Sequence, residues 1–248
     1  MAQVAIITAS DSGIVKECAL LLAQQGFDIG ITWHSDEEGA KDTAREVVSH
    51  GVRAEIVQLD LGNLPEGALA LEKLIQRLGR IDVLVNNAGI QRRHPFTEFP
   101  EQEWNDVIAV NQTAVFLVSQ AVTRHMVERK AGKVINICSM QSELGRDTIT
   151  PYAASKGAVK MLTRGMCVEL ARHNIQVNGI APGYFKTEMT KALVEDEAFT
   201  AWLCKRTPAA RWGDPQELIG AAVFLSSKAS DFVNGHLLFV DGGMLVAV

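Results

Sequence analysis

Short apolar runs alternate with longer amphipathic stretches along this chain, and the alternation limits the folds that it can adopt. The apolar runs cover residues 4–8, 28–33, 52–59, 81–85, 133–138, 175–180 and 237–240, and helical spacing fills most of the intervals. Buried strands that alternate with helices form a parallel sheet with helices on both faces. The sequence therefore predicts an α/β fold with one doubly wound parallel sheet of about seven strands.

The length agrees with a single sheet. The chain has 248 residues, which lies between one and two average domains, but single α/β domains often reach about 250 residues. No repeat, low-complexity tract or Pro/Ser-rich linker interrupts the pattern. We expect residues 1–248 to form one domain, with the weakly patterned residues 184–211 as a lid over a ligand site.

Composition argues against several classes of protein. Hydrophobic residues make up 47% and charged residues 21%, which disfavours a disordered chain, and no apolar run approaches the roughly 18 residues of a membrane span. The net charge of −5 disfavours a nucleic-acid or anionic membrane partner. The four cysteines stand far apart, so neither a metal site nor a disulfide framework is indicated. The N-terminus has no signal-peptide pattern, and we expect a cytoplasmic protein.

The turn after the first predicted strand is a candidate phosphate site. A short polar turn between a strand and a helix presents free N–H groups, which attract anions. Only Gly13 remains where a dinucleotide site usually has three glycines, so the turn alone fits an ordinary loop equally well. The candidate phosphate-binding residues are Ser10, Asp11, Ser12, Gly13 and Ile14.

Four further positions suggest acid–base chemistry. Tyr152 and Lys156 are four residues apart on one helical face, where an ammonium group lowers the pKa of a neighbouring phenol. Ser139 ends a buried strand and could bond a substrate carbonyl, and Asn111 lies inside an otherwise apolar helical run. Taken singly, these fit a surface Tyr–Lys pair, a turn serine and a satisfied core amide. In a functional role, Asn111 would hold a water or bend the helix.

Their joint order resembles the short-chain dehydrogenase/reductase family across essentially the whole chain. Residues 86–89 (Asn-Asn-Ala-Gly) resemble the family's sheet-stabilising motif, and residues 241–243 (Asp-Gly-Gly) its C-terminal signature. The resemblance implies a single Rossmann-like domain that both binds a dinucleotide and carries the catalytic groups. It also implies a catalytic tetrad, which consists of Asn111, Ser139, Tyr152 and Lys156.

The family mechanism assigns roles to these residues. Tyr152 would act as the acid/base on the reacting oxygen, Ser139 would orient that oxygen, and Asn111 would hold a relay water. Lys156 would lower the tyrosine pKa and hold the nicotinamide ribose. The resemblance also implies cofactor contacts beyond the turn, at Asn87, Ala88, Gly89, Pro182, Gly183 and Thr187.

The end of the second strand bears on the choice of coenzyme. Members that prefer NAD usually carry a carboxylate there, whereas this chain has His34 and Ser35. Asp36 and Glu37 follow and are predicted to open the next helix. We therefore expect NADP(H), with NAD(H) as the alternative, and we expect Asp60 and Leu61 beside the adenine, where Asp60 could instead cap a turn.

The resemblance within the family differs along the chain. Residues from about 81 onward resemble the gluconate 5-dehydrogenase group, which reduces 5-keto-D-gluconate to D-gluconate, and residues 1–80 resemble an acetoin/diacetyl-reductase-like group. This difference suggests a natural or engineered chimera with a seam near residues 81–89. A keto acid needs a cation and polar groups, and the candidate substrate contacts are Arg92, Arg93, Gln141 and Tyr184.

Several alternatives remain open at this point. Reduction of acetoin, diacetyl or a 3-oxoacyl thioester would use the same chemistry. Val15 stands where the family has its third glycine, and its added carbons could weaken cofactor binding, so a folded but inactive scaffold is the alternative of another class. The partners expected are a small-molecule keto acid or ketone and further copies of the chain in a homotetramer or homodimer.

Overall fold

One parallel sheet organises the molecule. The computed structural model describes residues 2–11, 13–187 and 190–248, without the side chains of residues 14, 65 and 66. Within these ranges the sheet has seven strands in the order β3-β2-β1-β4-β5-β6-β7, and every neighbouring pair is parallel. The predicted α/β architecture is confirmed. The strands are β1 (Val4–Ile7), β2 (Asp28–Trp33), β3 (Ala54–Gln58), β4 (Val83–Asn86), β5 (Gly132–Ile137), β6 (Ile175–Pro182) and β7 (Leu237–Val240).

Helices cover both faces of the sheet. They are α1 (Gly13–Gln24), α2 (Glu37–Ser49), α3 (Leu64–Leu78), α4 (Glu101–Ile108), α5 (Ala114–Arg129), α6 (Thr150–Leu170), α7 (Lys191–Val194), α8 (Glu197–Arg206) and α9 (Pro215–Ser226). In β1, Ala5 and Ile7 pack into a core with α1, α2 and α9, whereas Val4 and Ile6 pack into a second core with α3 and α5. Alternate side chains of a strand point to opposite faces, which accounts for the two cores.

The strand order places a ligand site. β1 lies between β2 and β4, so the chain first builds the sheet in one direction from β1 and then in the other. A crevice forms outside the carboxyl ends of the strands at such a switch point. The loops that follow β1, β4, β5 and β6 all reach this edge.

Two predicted stretches differ from the structure. The single helix expected over residues 100–130 is divided into α4 and α5 by a π-helical turn at Ala109–Thr113. Residues 184–211, expected to be weakly structured, contain α7 and α8. Among the described residues, no helix is long and apolar enough to cross a bilayer.

Candidate active site

A cleft of about 370 Å³ opens at the carboxyl edge of the sheet. The loop after β1, the residues that follow β4 and β5, and the segment after β6 all line it. We call the part of the lining that includes Arg93, Gln141, Arg146 and Tyr184 the outer wall. Parallel strands deliver residues distant in sequence to one edge, which explains the convergence. Predicted residues that line it are Asp11, Gly13, Asn87, Gly89, Arg93, Ser139, Gln141, Tyr152, Lys156, Pro182, Gly183, Tyr184 and Thr187.

The serine, tyrosine and lysine lie together in this cleft. Helix α6 carries Tyr152 and Lys156 one turn apart, and Ser139 follows β5. The Lys156 Nζ atom lies 5.7 Å from the centroid of the Tyr152 ring and donates a hydrogen bond to the Ile137 carbonyl at 2.6 Å. The Ser139 Oγ atom accepts from the Gln141 amide at 3.1 Å. The phenol, the hydroxyl and the ammonium therefore share one end of the cleft.

Burial dominates the electrostatics of this group. It raises the pKa of Tyr152, and the Ser139 hydroxyl opposes the rise. Burial also lowers the pKa of Lys156, which is only 4% exposed. The expected lowering of the tyrosine pKa by Lys156 is not found in this geometry, because burial of the phenol raises the pKa and only the Ser139 hydroxyl opposes the rise.

Asn111 lies behind the cleft at the π-helical turn. Its Oδ1 accepts from the Ile90 amide at 2.8 Å, and its Nδ2 donates to the Ile90 carbonyl at 2.9 Å and to Ser155 Oγ at 3.2 Å. The side chain is fully buried and does not line the cleft. Asn111 therefore ties the loop after β4 to α6, and the helix departs from α geometry at this residue, which agrees with the predicted bend.

Backbone conformation shapes the phosphate turn. Ala9 and Gly13 both adopt left-handed conformations, with φ of 54° and 66°. The prediction for Ser10 is wrong: its amide donates to the Thr32 carbonyl and its hydroxyl to the Ile7 carbonyl, which leaves no donor for a phosphate. The predicted Ser12 lies outside the described residues, as does the side chain of Ile14.

The motif after β4 fixes the turn to its neighbour strand. The Thr8 hydroxyl accepts from the amides of Asn87 at 2.9 Å and Ala88 at 3.0 Å. Ala88 therefore serves this link and does not line the cleft. Gly183 is required sterically, because a Cβ there would lie 2.7 Å from the Asp241 backbone. The C-terminal signature thus packs against the loop after β6.

The residues predicted around the adenosine lie outside the cleft. His34 and Ser35 are exposed beyond the end of β2, and the His34 Nε2 atom lies 3.7 Å from Asp60 Oδ1. Asp60 accepts from the Gly62 amide at 2.8 Å, so it caps a turn as the alternative interpretation held. Leu61 is wrong as a side-chain contact, because that side chain is buried in the core beside α3. As predicted, Asp36 caps α2.

The outer wall of the cleft carries two arginines, of which the sequence predicted one. Arg93 lines the cleft, but Arg92 does not, since its Nε lies 3.8 Å from the Glu103 carboxylate. Arg146, in the loop before α6, also lines the cleft and was not predicted. It donates to the Tyr184 hydroxyl at 3.0 Å. Only tertiary packing brings this loop to Tyr184, so no local signal marked it.

Gln141 provides an unsatisfied acceptor in the same wall. The residue is 8% exposed, and its Oε1 has no hydrogen-bond partner among the described residues. A buried polar atom without a partner costs free energy, and a ligand that donates to it recovers that cost. In the described parts of the chain, no group of three or more His, Cys, Asp or Glu is placed to hold a metal.

Known proteins share both the sequence and this geometry. The profile of the short chain dehydrogenase family matches residues 3–198. The chain belongs to the short-chain dehydrogenase family. A 5-keto-D-gluconate 5-reductase from Escherichia coli (strain K12) is 76% identical over 243 residues, which cover 98% of this chain and 95% of that protein. That alignment crosses residues 81–89 without a break in coverage, so the predicted chimera seam finds no support.

Two solved structures relate the fold to ligands. A gluconate 5-dehydrogenase from Burkholderia cenocepacia J2315, crystallised with NADP and tartrate, is 53% identical with a TM-score of 0.94, and the match covers 99% of this chain and 96% of that one. An acetoin dehydrogenase from Salmonella typhimurium is 45% identical with a TM-score of 0.92, over 100% of this chain and 98% of that one. The chain is thus a short-chain dehydrogenase/reductase with similarity to both groups expected from its sequence.

Proposed function

We propose that this enzyme catalyses the reversible NADPH-dependent reduction of 5-keto-D-gluconate to D-gluconate. The observation that carries the proposal is the cleft itself, which is lined both by Tyr152 and by the arginines Arg93 and Arg146. A keto acid has one group for each end: a carbonyl for the phenol and a carboxylate for a guanidinium. The printed functions of the 76% identical reductase and the 53% identical gluconate dehydrogenase support the same substrate.

The residues fit a nicotinamide dinucleotide. The N-terminus of α1 faces the cleft through Asp11 and Gly13, and nothing lies within 4 Å of the place a Cβ would take at Gly13. Helix N-termini with open backbone approach suit a pyrophosphate. Asn87, Lys156 and Thr187 supply polar groups along the cleft toward its nicotinamide end. Val15 also lines the cleft, and it packs against the core, which accommodates its side chain.

The cofactor, when bound, supplies the hydride for reduction. Tyr152 donates its phenolic proton to the carbonyl oxygen, which becomes the new hydroxyl, and in the reverse direction the phenolate takes that proton. Ser139 donates a hydrogen bond to the same oxygen and fixes its position. Lys156 would hold the ribose of the bound cofactor, and Asn111 holds the loop after β4 against α6 through its bonds to Ile90 and Ser155.

The cleft wall accounts for recognition of a polyhydroxy acid. The buried Oε1 of Gln141 accepts a hydrogen bond from a substrate hydroxyl, which satisfies that atom. Tyr184 contributes a phenol to the same wall, and Arg93 attracts the carboxylate. Arg92 is left out of the proposed substrate contacts because it faces Glu103.

Reduction of acetoin or diacetyl is the second candidate function. The similarity to the Salmonella acetoin dehydrogenase favours it. A small neutral diketone has no group for Arg93 and no hydroxyl chain for Gln141, so it would leave the polar wall unsatisfied. Rates with 5-keto-D-gluconate and with acetoin at equal NADPH distinguish the two functions. If NADPH fluorescence does not change on mixing with the protein, an inactive scaffold is the better account.

We also propose NADP(H) as the preferred coenzyme. His34 and Ser35 are exposed at the end of β2 and provide hydrogen-bond donors for a 2′-phosphate, and they occupy the positions where an NAD-preferring member usually has a carboxylate. The NADP bound to the Burkholderia relative supports this choice. The Michaelis constants for NADPH and NADH test it, since a lower constant for NADH would reverse the preference.

Assembly and location complete the proposal. Helices α5 and α6 expose large apolar side chains, which is typical of subunit interfaces. These side chains are Phe116, Leu117, Met161 and Val168. We propose a homotetramer (or homodimer) in the cytoplasm, where the four unpaired cysteines suit a reducing compartment. Residues 184–211 act as the substrate lid. Sedimentation velocity tests the assembly, and a monomer at micromolar concentration contradicts it.

A further inference from the structure

Arg146 has the geometry of an anion-binding residue that is held ready for a ligand. Its guanidinium carbon lies 4.8 Å from the centroid of the Phe199 ring and 5.8 Å from that of Tyr184. Its Nη1 donates to the Tyr184 hydroxyl at 3.0 Å. Stacking on the aromatic rings and one hydrogen bond fix the plane of the guanidinium, which leaves its other N–H groups available for a carboxylate.

The charge of Arg146 is not neutralised inside the protein. No carboxylate of residues 2–11, 13–187 and 190–248 forms an ion pair with Arg146 or Arg93. The two guanidiniums lie close enough to repel one another: burial and then the Arg146 charge lower the pKa of Arg93, and Tyr184 and Asp147 only partly oppose this. Two arginines that face one cleft without a counter-ion favour a bound anion.

We propose that Arg146 is the principal carboxylate-binding residue of this enzyme, with Arg93 as the second cation. The inference rests on the proposed function and adds the residue that selects acids over neutral ketones. Arg146 belongs to the loop before α6, whereas Tyr184 and Phe199 belong to the proposed lid. The same side chain thus links the proposed carboxylate site to Tyr184 and Phe199 of that segment.

The test compares acid and neutral substrates in three variants. We expect Arg146→Met to raise KM for 5-keto-D-gluconate about 10- to 100-fold, because a charge-assisted bidentate contact is lost. In the same variant, KM for a neutral ketohexose should change less than about threefold, because this substrate has no carboxylate. Arg146→Lys keeps the charge, so its KM for 5-keto-D-gluconate should lie between the values for the wild type and for Arg146→Met. Arg92→Met removes an arginine of the neighbouring loop that faces Glu103, and it should raise KM for the acid less than about twofold.

Equal losses with the acid and the neutral ketose, or an effect of Arg92→Met as large as that of Arg146→Met, would overturn the proposal. Unchanged NADPH fluorescence and melting temperature establish that each variant is folded. Tyr184→Phe serves as a second variant, since it removes the acceptor that orients Arg146 but keeps the ring. It should raise KM for the acid selectively, and no change would contradict the proposed orientation.

A binding measurement separates this inference from the proposed function. Tartrate carries two carboxylates and no ketone, so calorimetric titration of the NADPH-loaded enzyme with tartrate reports anion binding without turnover. We expect at least tenfold weaker tartrate binding in Arg146→Met. If the wild type does not reduce 5-keto-D-gluconate but this loss is observed, the proposed substrate fails while the anion site stands. If tartrate affinity is unchanged, the anion site fails whatever the substrate.

Discussion

At the scale of single residues, the proposed chemistry depends on Tyr152. We expect Tyr152→Phe to lower kcat about 100- to 10,000-fold, because the ring remains but its proton is lost. Cofactor affinity should stay within about twofold, since the replacement leaves the ring and Lys156 in place. NADPH fluorescence measures the affinity and stopped-flow absorbance the rate. Turnover within tenfold of the wild type would remove Tyr152 from the mechanism.

The buried phenol also sets the pH dependence. Reduction needs the protonated phenol, and a raised pKa keeps that form populated through neutral pH. The kcat/KM for reduction should therefore be flat near neutrality and fall only in the alkaline range, whereas oxidation of D-gluconate should accelerate as the pH rises. The ordinary pKa of a histidine is about 6.5. A reduction rate that falls as the pH rises through about that value would therefore indicate that a histidine, and not Tyr152, is the acid.

Ala9 stores backbone strain in the phosphate turn. Its φ of 54° is left-handed, which costs an L-residue about 1–2 kcal/mol relative to glycine. Ala9→Gly should raise the free energy of unfolding by about 0.5–1 kcal/mol after the entropy of the added glycine is subtracted. Urea denaturation measures the change. Ala210→Gly tests the same effect at a second left-handed position, where φ is 53°, and should give a similar gain. Destabilisation of both variants would mean that the left-handed turns carry no strain.

At the scale of elements, local signals set most helix ends, and tertiary contacts set the exceptions. The Asp214 capping box begins α9, and left-handed Gly79 ends α3, and both are caps that the local sequence favours. The sequence indicated a bend at Asn111 but not that a π-helical turn divides the helix there. That turn depends on hydrogen bonds to Ile90 and Ser155, which come from other parts of the fold.

Asp82 joins three elements near the amino edge of the sheet. It accepts from the Val4 amide at 2.8 Å, from Arg80 at 2.6 Å and from Arg129 at 2.7 Å. Burial raises its pKa, but the bonds from Arg80, Arg129 and Val4 outweigh burial, so the pKa is lowered overall. Stability from this group is therefore complete at neutral pH and is lost as the pH falls through the folded-state pKa.

We expect Asp82→Asn to lower the free energy of unfolding by about 2 kcal/mol at neutral pH, because the partly exposed guanidiniums of Arg80 and Arg129 lose the buried carboxylate that pairs with them. The difference from the wild type should shrink as the pH falls through the acid range. Asp42→Asn is the control, since that residue makes an exposed pair with Arg45 and should change stability by less than about 0.5 kcal/mol. A pH-independent loss in Asp82→Asn would contradict the linkage.

At the scale of the whole molecule, the sequence predicted the sheet because each strand and helix has its own apolar period. It also placed Ser139, which follows β5, and Tyr152, in the first turn of α6, at the carboxyl edge, where both line the cleft. It could not distinguish Arg92 from Arg93, because adjacent loop residues carry no periodic signal. Arg146 was also missed, because its position in the cleft depends on a tertiary contact with the Phe199 ring.

The rate of NADPH oxidation with 5-keto-D-gluconate, measured beside the rate with acetoin, tests the central claim most directly. A site with unpaired cations and an unsatisfied Gln141 acceptor should favour the polyhydroxy acid. We expect kcat/KM for 5-keto-D-gluconate to exceed that for acetoin by at least about tenfold. A preference for acetoin, or no NADPH oxidation with the keto acid, would contradict the account.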